Sequence, residues 1–116
     1  MKKTNFKKKF IEDPIFGGNF WFCLGNKDKF KKFVEKKTKA KIELSEDSNG
    51  ARYEKNNIVF VWIEKKDFGV LIHELQHNCL RTLDGLGMKV SVESEEVYAY
   101  YIEYTFNKCL KAIKTF

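Results

Sequence analysis

The feature that most constrains the fold of this chain is its histidine pair: the only two histidines lie four residues apart in the run His73-Glu74-Leu75-Gln76-His77. Residues i and i+4 share one face of an α-helix, so the spacing is meaningful when the segment is helical. Asp67 is a good N-cap, and Gly85 and Gly87 are typical of a helix stop. We therefore predict a helix from Asp67 to about Asp84. Its apolar side is expected from residues at helical spacing: Val70, Leu71, Leu75 and Leu80.

Two imidazoles on one helix face indicate metal chemistry. At a spacing of one turn, both rings can bind a single Zn²⁺ ion at about 2.1 Å. Glu74 follows the first ligand and is placed to take a proton from a zinc-bound water, whose pKa falls to about 7. Random placement of the same residues would produce this pattern roughly twice in a thousand chains. The alternative is two ordinary helix histidines, one of them hydrogen-bonded in the core.

A third protein ligand is needed, since two histidines and a water leave one tetrahedral position open. Cys79 follows His77 by two residues, so it points away from the histidine face. The next predicted helix, from Ser94 as N-cap to about Lys114, offers a better source in its acidic start: Glu93, Glu95 and Glu96.

The H-E-x-x-H motif, followed by 18 residues and Glu96, resembles the gluzincin branch of zinc metallopeptidases, in particular the large gluzincin aminopeptidases. In that family the third ligand begins a helix with the pattern Glu-x-aromatic-Ala-x-Tyr, and residues 96–101 read Glu-Val-Tyr-Ala-Tyr-Tyr. The chain also resembles small uncharacterised zincin-like proteins encoded by bacteriophages. The resemblance covers about residues 58–106. It implies Glu74 as the general base and three Zn²⁺ ligands: His73, His77 and Glu96.

The register of the third ligand stays open by one residue. The family usually has Asn before this glutamate, whereas the chain has Glu95, so Glu95 or Glu93 could replace Glu96 as the ligand. The strand motif that anchors a substrate's amino end in the aminopeptidases is absent, so the resemblance does not extend to exopeptidase action.

Two further parts of a hydrolase site can be assigned as expectations. The oxyanion of the reaction needs a stabilising group, for which we name Tyr101, with Tyr100 and Arg81 as alternatives. In zincins the strand before the motif helix is an edge that pairs with an extended substrate, and residues 58–63 hold that position.

The remaining pattern predicts an α+β fold. Strands are expected at residues 19–24, 40–44 and 58–63, and a short helix at 28–38, with turn residues at 45–50. We expect a minimal zincin-like core: a small twisted sheet of three or four strands, the H-E-x-x-H helix beneath it and the C-terminal helix crossing it. The 116 residues fit a single domain, with a strand, helix and strand in residues 1–57 and the metal-binding part in residues 58–114.

Charge is distributed unevenly along the chain. Residues 1–41 contain 13 lysines and four acidic residues, whereas residues 42–116 contain 9 basic and 12 acidic residues. Among the 22 basic residues, only Arg52 and Arg81 are arginine, the residue that binds phosphate bidentately. We therefore expect a solvated basic face. Binding of nucleic acid through the lysine-rich segment 27–41 is the weaker alternative.

These observations lead to one functional hypothesis and one alternative to it. The sequence shows no secretory signal, no membrane-spanning run and no paired cysteine motif, which favours a reducing, cytoplasmic setting. The leading hypothesis is a zinc-dependent metallopeptidase in which Glu74 activates a zinc-bound water that attacks a bond of a peptide or protein substrate. The alternative is a zincin-like binding module without turnover, in which zinc ties two helices together.

Overall fold

A computed structural model describes residues 6–116 of the chain. Within this range the fold is α+β, with a four-stranded mixed sheet and three helices, which confirms the expected fold class and strand number. The elements follow in the order β1 (Phe6–Ile11), β2 (Phe20–Gly25), α1 (Lys27–Thr38), β3 (Gly50–Lys55), β4 (Ile58–Ile63), α2 (Phe68–Gly85) and α3 (Glu95–Thr115).

The sheet has the strand order β1-β2-β4-β3. β1 is antiparallel to β2, β2 is parallel to β4, and β4 is antiparallel to β3. The β3–β4 connection is a two-residue turn, Asn56-Asn57, in which both residues have positive φ, 55° and 65°, as a type I′ hairpin requires. The expectation that residues 58–63 form the edge strand is therefore wrong. β4 has a partner on each side, and β3 is the edge.

The two faces of the sheet carry separate cores because side chains alternate along each strand. On one face, Phe22 and Val61 pack with Leu71 and Leu75 of α2 and with Ile113 of α3. The opposite face is covered by α1, and the core residues there are Cys23, Phe30, Phe33, Val34, Ile42, Phe60 and Trp62. Helices on both faces explain why β2 and β4 are almost continuously apolar.

Three segments differ from the sequence prediction, one of which is β3, where no strand was predicted. The predicted strand at 40–44 is wrong: the segment is irregular, although Ile42 is buried beneath α1. Alternation reports burial, whereas a strand also needs a neighbour to pair with. The sequence pattern did not predict β1, because its lysines, residues 7–9, are exposed and break the apolar alternation.

The start of α3 and its packing against α2 complete the fold. Ser94 holds the N-cap position of α3, but its hydroxyl donates to the Lys89 carbonyl at 2.5 Å and caps no helix N–H. α2 and α3 pack through a third apolar cluster: Cys79, Leu83, Tyr98 and Tyr101. None of the helices in residues 6–116 is both long and apolar enough to cross a bilayer.

Candidate metal centre

α2 carries the motif on a well-capped helix. The Asp67 carboxylate accepts the backbone N–H groups of Gly69 and Val70 at 3.0 and 3.2 Å, which confirms the predicted cap. Its inward side is apolar and packs on the sheet. Its solvent side carries both motif histidines and also Leu80, which the sequence pattern had assigned to the apolar side.

His73 and His77 converge at their ring tips. Their Nε2 atoms lie 3.2 Å apart, and the rings are nearly perpendicular, at 83°. Two nitrogens bound to one tetrahedral zinc at about 2.1 Å would be separated by about 3.4 Å. The pair therefore has the separation that shared binding of one ion requires. The same distance also suits an N–H···N hydrogen bond between the two rings.

Glu74 points in a different direction from its histidine neighbours. Its side chain is 8% exposed, and the backbone N–H of Arg52 in β3 is near enough to lower its pKa. Burial raises the pKa of this carboxyl, although the charges of His73 and His77 and the Arg52 N–H act in the opposite direction. A carboxylate with a raised pKa beside two potential ligands has the chemistry of a general base.

β3 brings two residues, Gly50 and Arg52, to α2, where they meet Val70, Glu74 and Asn78; the sequence pattern did not predict these contacts. Gly50 lies against the helix so closely that a Cβ there would be 2.6 Å from Val70 Cγ1 and 3.3 Å from Glu74 Cγ. Arg52 donates from Nε to Asn78 Oδ1 at 3.2 Å, and the buried Asn78 Nδ2 has no partner among the described residues. The only available sequence signal was that Arg52 is one of two arginines, because nothing local connects β3 to the motif helix.

The predicted third ligands are not gathered with the histidines. Glu95 and Glu96 are exposed in the first turn of α3, and Glu93 is exposed just before it. Within residues 6–116, no three His, Cys, Asp or Glu side chains lie close enough to share a metal ion. The structure thus brings together His73 and His77, and the choice of third ligand stays a prediction.

The Tyr101 hydroxyl forms a buried hydrogen bond. Its hydroxyl donates to the Asp13 carboxylate at 2.6 Å, and its side chain is 2% exposed. Burial and the Asp13 carboxylate together raise the pKa of the phenol. The hydroxyl's polar partners, Asp13 and Thr82, do not include either motif histidine. The two alternatives, Tyr100 and Arg81, are both exposed and make no such contact.

Comparisons of this chain with protein-family models, with curated proteins and with solved structures found no match.

Proposed function

We propose that this chain is a zincin-like, zinc-dependent peptide hydrolase. His73 and His77 bind the ion, Glu74 is the general base, and Glu96 is the third ligand. The observation that carries the proposal is the 3.2 Å separation of the two Nε2 atoms, with a buried carboxylate on the residue between them in the motif. The donor set of two imidazoles and a carboxylate is one that zinc accepts in hydrolases.

The sheet supports this proposal through the outer edge of β3. All six residues of β3 have a register partner on β4, and in a two-residue hairpin the hydrogen-bonded pairs alternate. The backbone groups of Ala51, Tyr53 and Lys55 therefore face β4, and those of Gly50, Arg52 and Glu54 face outward. The Arg52 N–H is one of these outward groups, and it meets Glu74. An extended peptide added to this edge would therefore run past the general base.

The other edge of the sheet is less suited to an added strand. The exposed lysines of β1, residues 7–9, put three like charges in a row, a device that discourages strand addition. On β3 the edge begins at Gly50, which packs so closely on α2 that a Cβ there would lie 3.3 Å from Glu74 Cγ. The proposed substrate is thus an extended peptide segment that pairs with β3.

Each residue has a separate task in this proposal. Bound zinc supplies Lewis-acid chemistry, which polarises a peptide carbonyl and makes water nucleophilic near neutral pH. Glu74 accepts the proton of the attacking water and delivers it to the leaving amine. The Arg52 N–H lies near the Glu74 carboxylate at the strand edge, and the α2 helix fixes the spacing of the two imidazoles.

Zinc content tests the ligand set directly. Protein purified without chelator and analysed by mass spectrometry should contain about one zinc per chain, and His73→Ala and Glu96→Ala should lose it. Gln76→Ala and Glu95→Ala are matched controls, because both residues are exposed neighbours of the proposed ligands. Retention of zinc in Glu96→Ala with its loss in Glu95→Ala would move the third ligand by one residue. No zinc in the reconstituted parent would refute the centre.

Hydrolysis tests the role of Glu74. Glu74→Gln preserves the size of the side chain and removes its basicity, so it should keep zinc and lower the cleavage rate of a peptide library at least about 100-fold. If the variant cleaves as fast as the parent, Glu74 is not the base. If the parent holds zinc and cleaves nothing in the library, the binding-module alternative is favoured.

A further inference from the structure

A row of aromatic rings crosses the sheet on the α1 side, away from the histidines. Phe10 and Trp21 are register partners on β1 and β2, with ring centroids 5.2 Å apart, and Trp21 meets Phe33 of α1 at 5.3 Å. Phe33 is buried, Trp21 is half-buried and Phe10 is 42% exposed. The row therefore runs from the core to solvent.

Lysines from two elements surround this row. Lys37 Nζ lies 4.7 Å from the centre of the Trp21 ring, and Lys8 Nζ lies 5.4 Å from the centre of the Phe33 ring. Cation–π contacts of this kind help to hold α1 on the sheet. They also fix the Lys37 ammonium group beside Trp21, which is half-buried.

The lysines around this row have no ion-pair partner among residues 6–116. In the described part of the chain, the single ion pair joins Arg52 to Glu54. The 11 lysines between residues 6 and 41 form none. Lysines that lack an ion-pair partner can attract an oppositely charged partner.

The row ends in a groove of about 560 Å³ where β1 ends and β2 begins. We call it the basic groove and define it by four of its lining residues: Phe10, Trp21, Lys37 and Arg81. Arg81 comes from the C-terminal half of α2, and Arg52, which is paired with Glu54, also lines the groove, so the groove joins the lysine-rich part of the chain to both arginines. The sequence showed only the charge. The structure adds the aromatic rings and shows that Lys37 and Arg81 form no ion pair with the described residues.

We propose that the basic groove binds single-stranded nucleic acid without sequence preference. Bases stack on Phe10 and Trp21, and phosphates contact Lys37 and Arg81. Exposed rings within a basic groove are how proteins bind single strands, since every base has a face that can stack. An acidic polypeptide would satisfy the charges but leave the rings without a partner. The predominance of lysine, which acts as a point charge, fits binding that does not distinguish bases.

Binding of a fluorescently labelled 12-mer of oligo-dT, measured by anisotropy between 20 and 200 mM salt, tests this proposal. Affinity should fall with salt at a log–log slope of about −0.7 per phosphate contacted. Tryptophan emission should be quenched on binding, and Trp21 is the residue it reports, because Trp62 is fully buried. Phe10→Leu, which removes only the aromatic face, should weaken binding about tenfold.

Matched variants separate the groove from general charge. Lys37→Ala should weaken binding several-fold and reduce the salt slope, whereas Lys66→Ala, an exposed lysine in the β4–α2 turn, should change neither. His73→Ala should also have no effect, so the outcome is independent of the proposed metal centre. The proposal is overturned by no binding at 20 mM salt, by an equal loss in Lys66→Ala, or by equal binding of a 12-residue oligo-glutamate without quenching.

Discussion

Replacing Tyr101 by Phe removes one hydroxyl from a buried contact that ties α3 to the loop after β1. The Asp13 carboxylate accepts four hydrogen bonds there: the backbone N–H groups of Ile15 and Phe16 at 3.0 Å, that of Gly18 at 2.9 Å and the Tyr101 hydroxyl at 2.6 Å. A hydrogen bond to a charged group contributes about 1.5–3 kcal/mol. Since three donors remain on Asp13, we expect Tyr101→Phe to cost about 2 kcal/mol. For a chain of this size that lowers Tm by about 8 °C.

The cost should depend on pH. Burial alone would raise the pKa of Asp13, but the hydrogen bonds from Tyr101 and the three N–H groups hold it below the ordinary value of 3.8. A carboxyl whose pKa is lower in the folded state stabilises the protein above its unfolded pKa. That contribution is lost as pH falls through the folded value. The stability difference between parent and Tyr101→Phe should therefore be full at pH 7 and shrink as pH falls below about 3.8.

Urea denaturation followed by tryptophan fluorescence measures the stability difference between the parent and Tyr101→Phe at pH 7 and at a pH below about 3.8. Tyr100→Phe is the control: it removes a hydroxyl from the next residue, which is 66% exposed, and should change stability by less than about 0.5 kcal/mol. Equal stability of the two variants would refute the structural role of the Tyr101 hydroxyl. Unchanged stability with a large loss of hydrolysis would instead support the expectation that Tyr101 stabilises the oxyanion.

Three further predictions follow from the packing of α2. Gly50→Ala should cost about 1–3 kcal/mol by overpacking against Val70, whereas Gly85→Ala, with open space around it, should be neutral or stabilising; chemical denaturation of both compares them. Asp67→Ala removes the helix cap and should lower the unfolding free energy by about 1 kcal/mol. An unchanged unfolding free energy would show that the Asp67 cap is redundant. Chelation should leave a cooperative thermal transition in circular dichroism, because the apolar α2–α3 cluster needs no ion; a metal-tied module would lose it.

Local patterns identified the elements that carry strong, short-range signals. The helix limits at Asp67 and Gly85 follow from capping chemistry, and the apolar run at 58–63 follows from β-propensity. The alternation at 40–44 misled because it records which side is buried, and the segment has no strand to pair with. The lysines of β1 concealed a strand because an edge strand can tolerate exposed charge on both faces.

In the candidate site, too, one feature follows from the local sequence and others follow only from the tertiary structure. The sequence by itself determined the spacing of His73 and His77, because i and i+4 geometry is a property of any helix. Only the tertiary structure decided that the Glu74 carboxylate lies near the Arg52 N–H, that Gly50 packs against α2 beside it, and that β3 rather than β4 is an edge strand. Those contacts join residues that are 22 and 24 positions apart in the chain. They depend on strand order, which is set by how the whole sheet buries its two faces. Neither local segment carries a sequence signal for that order.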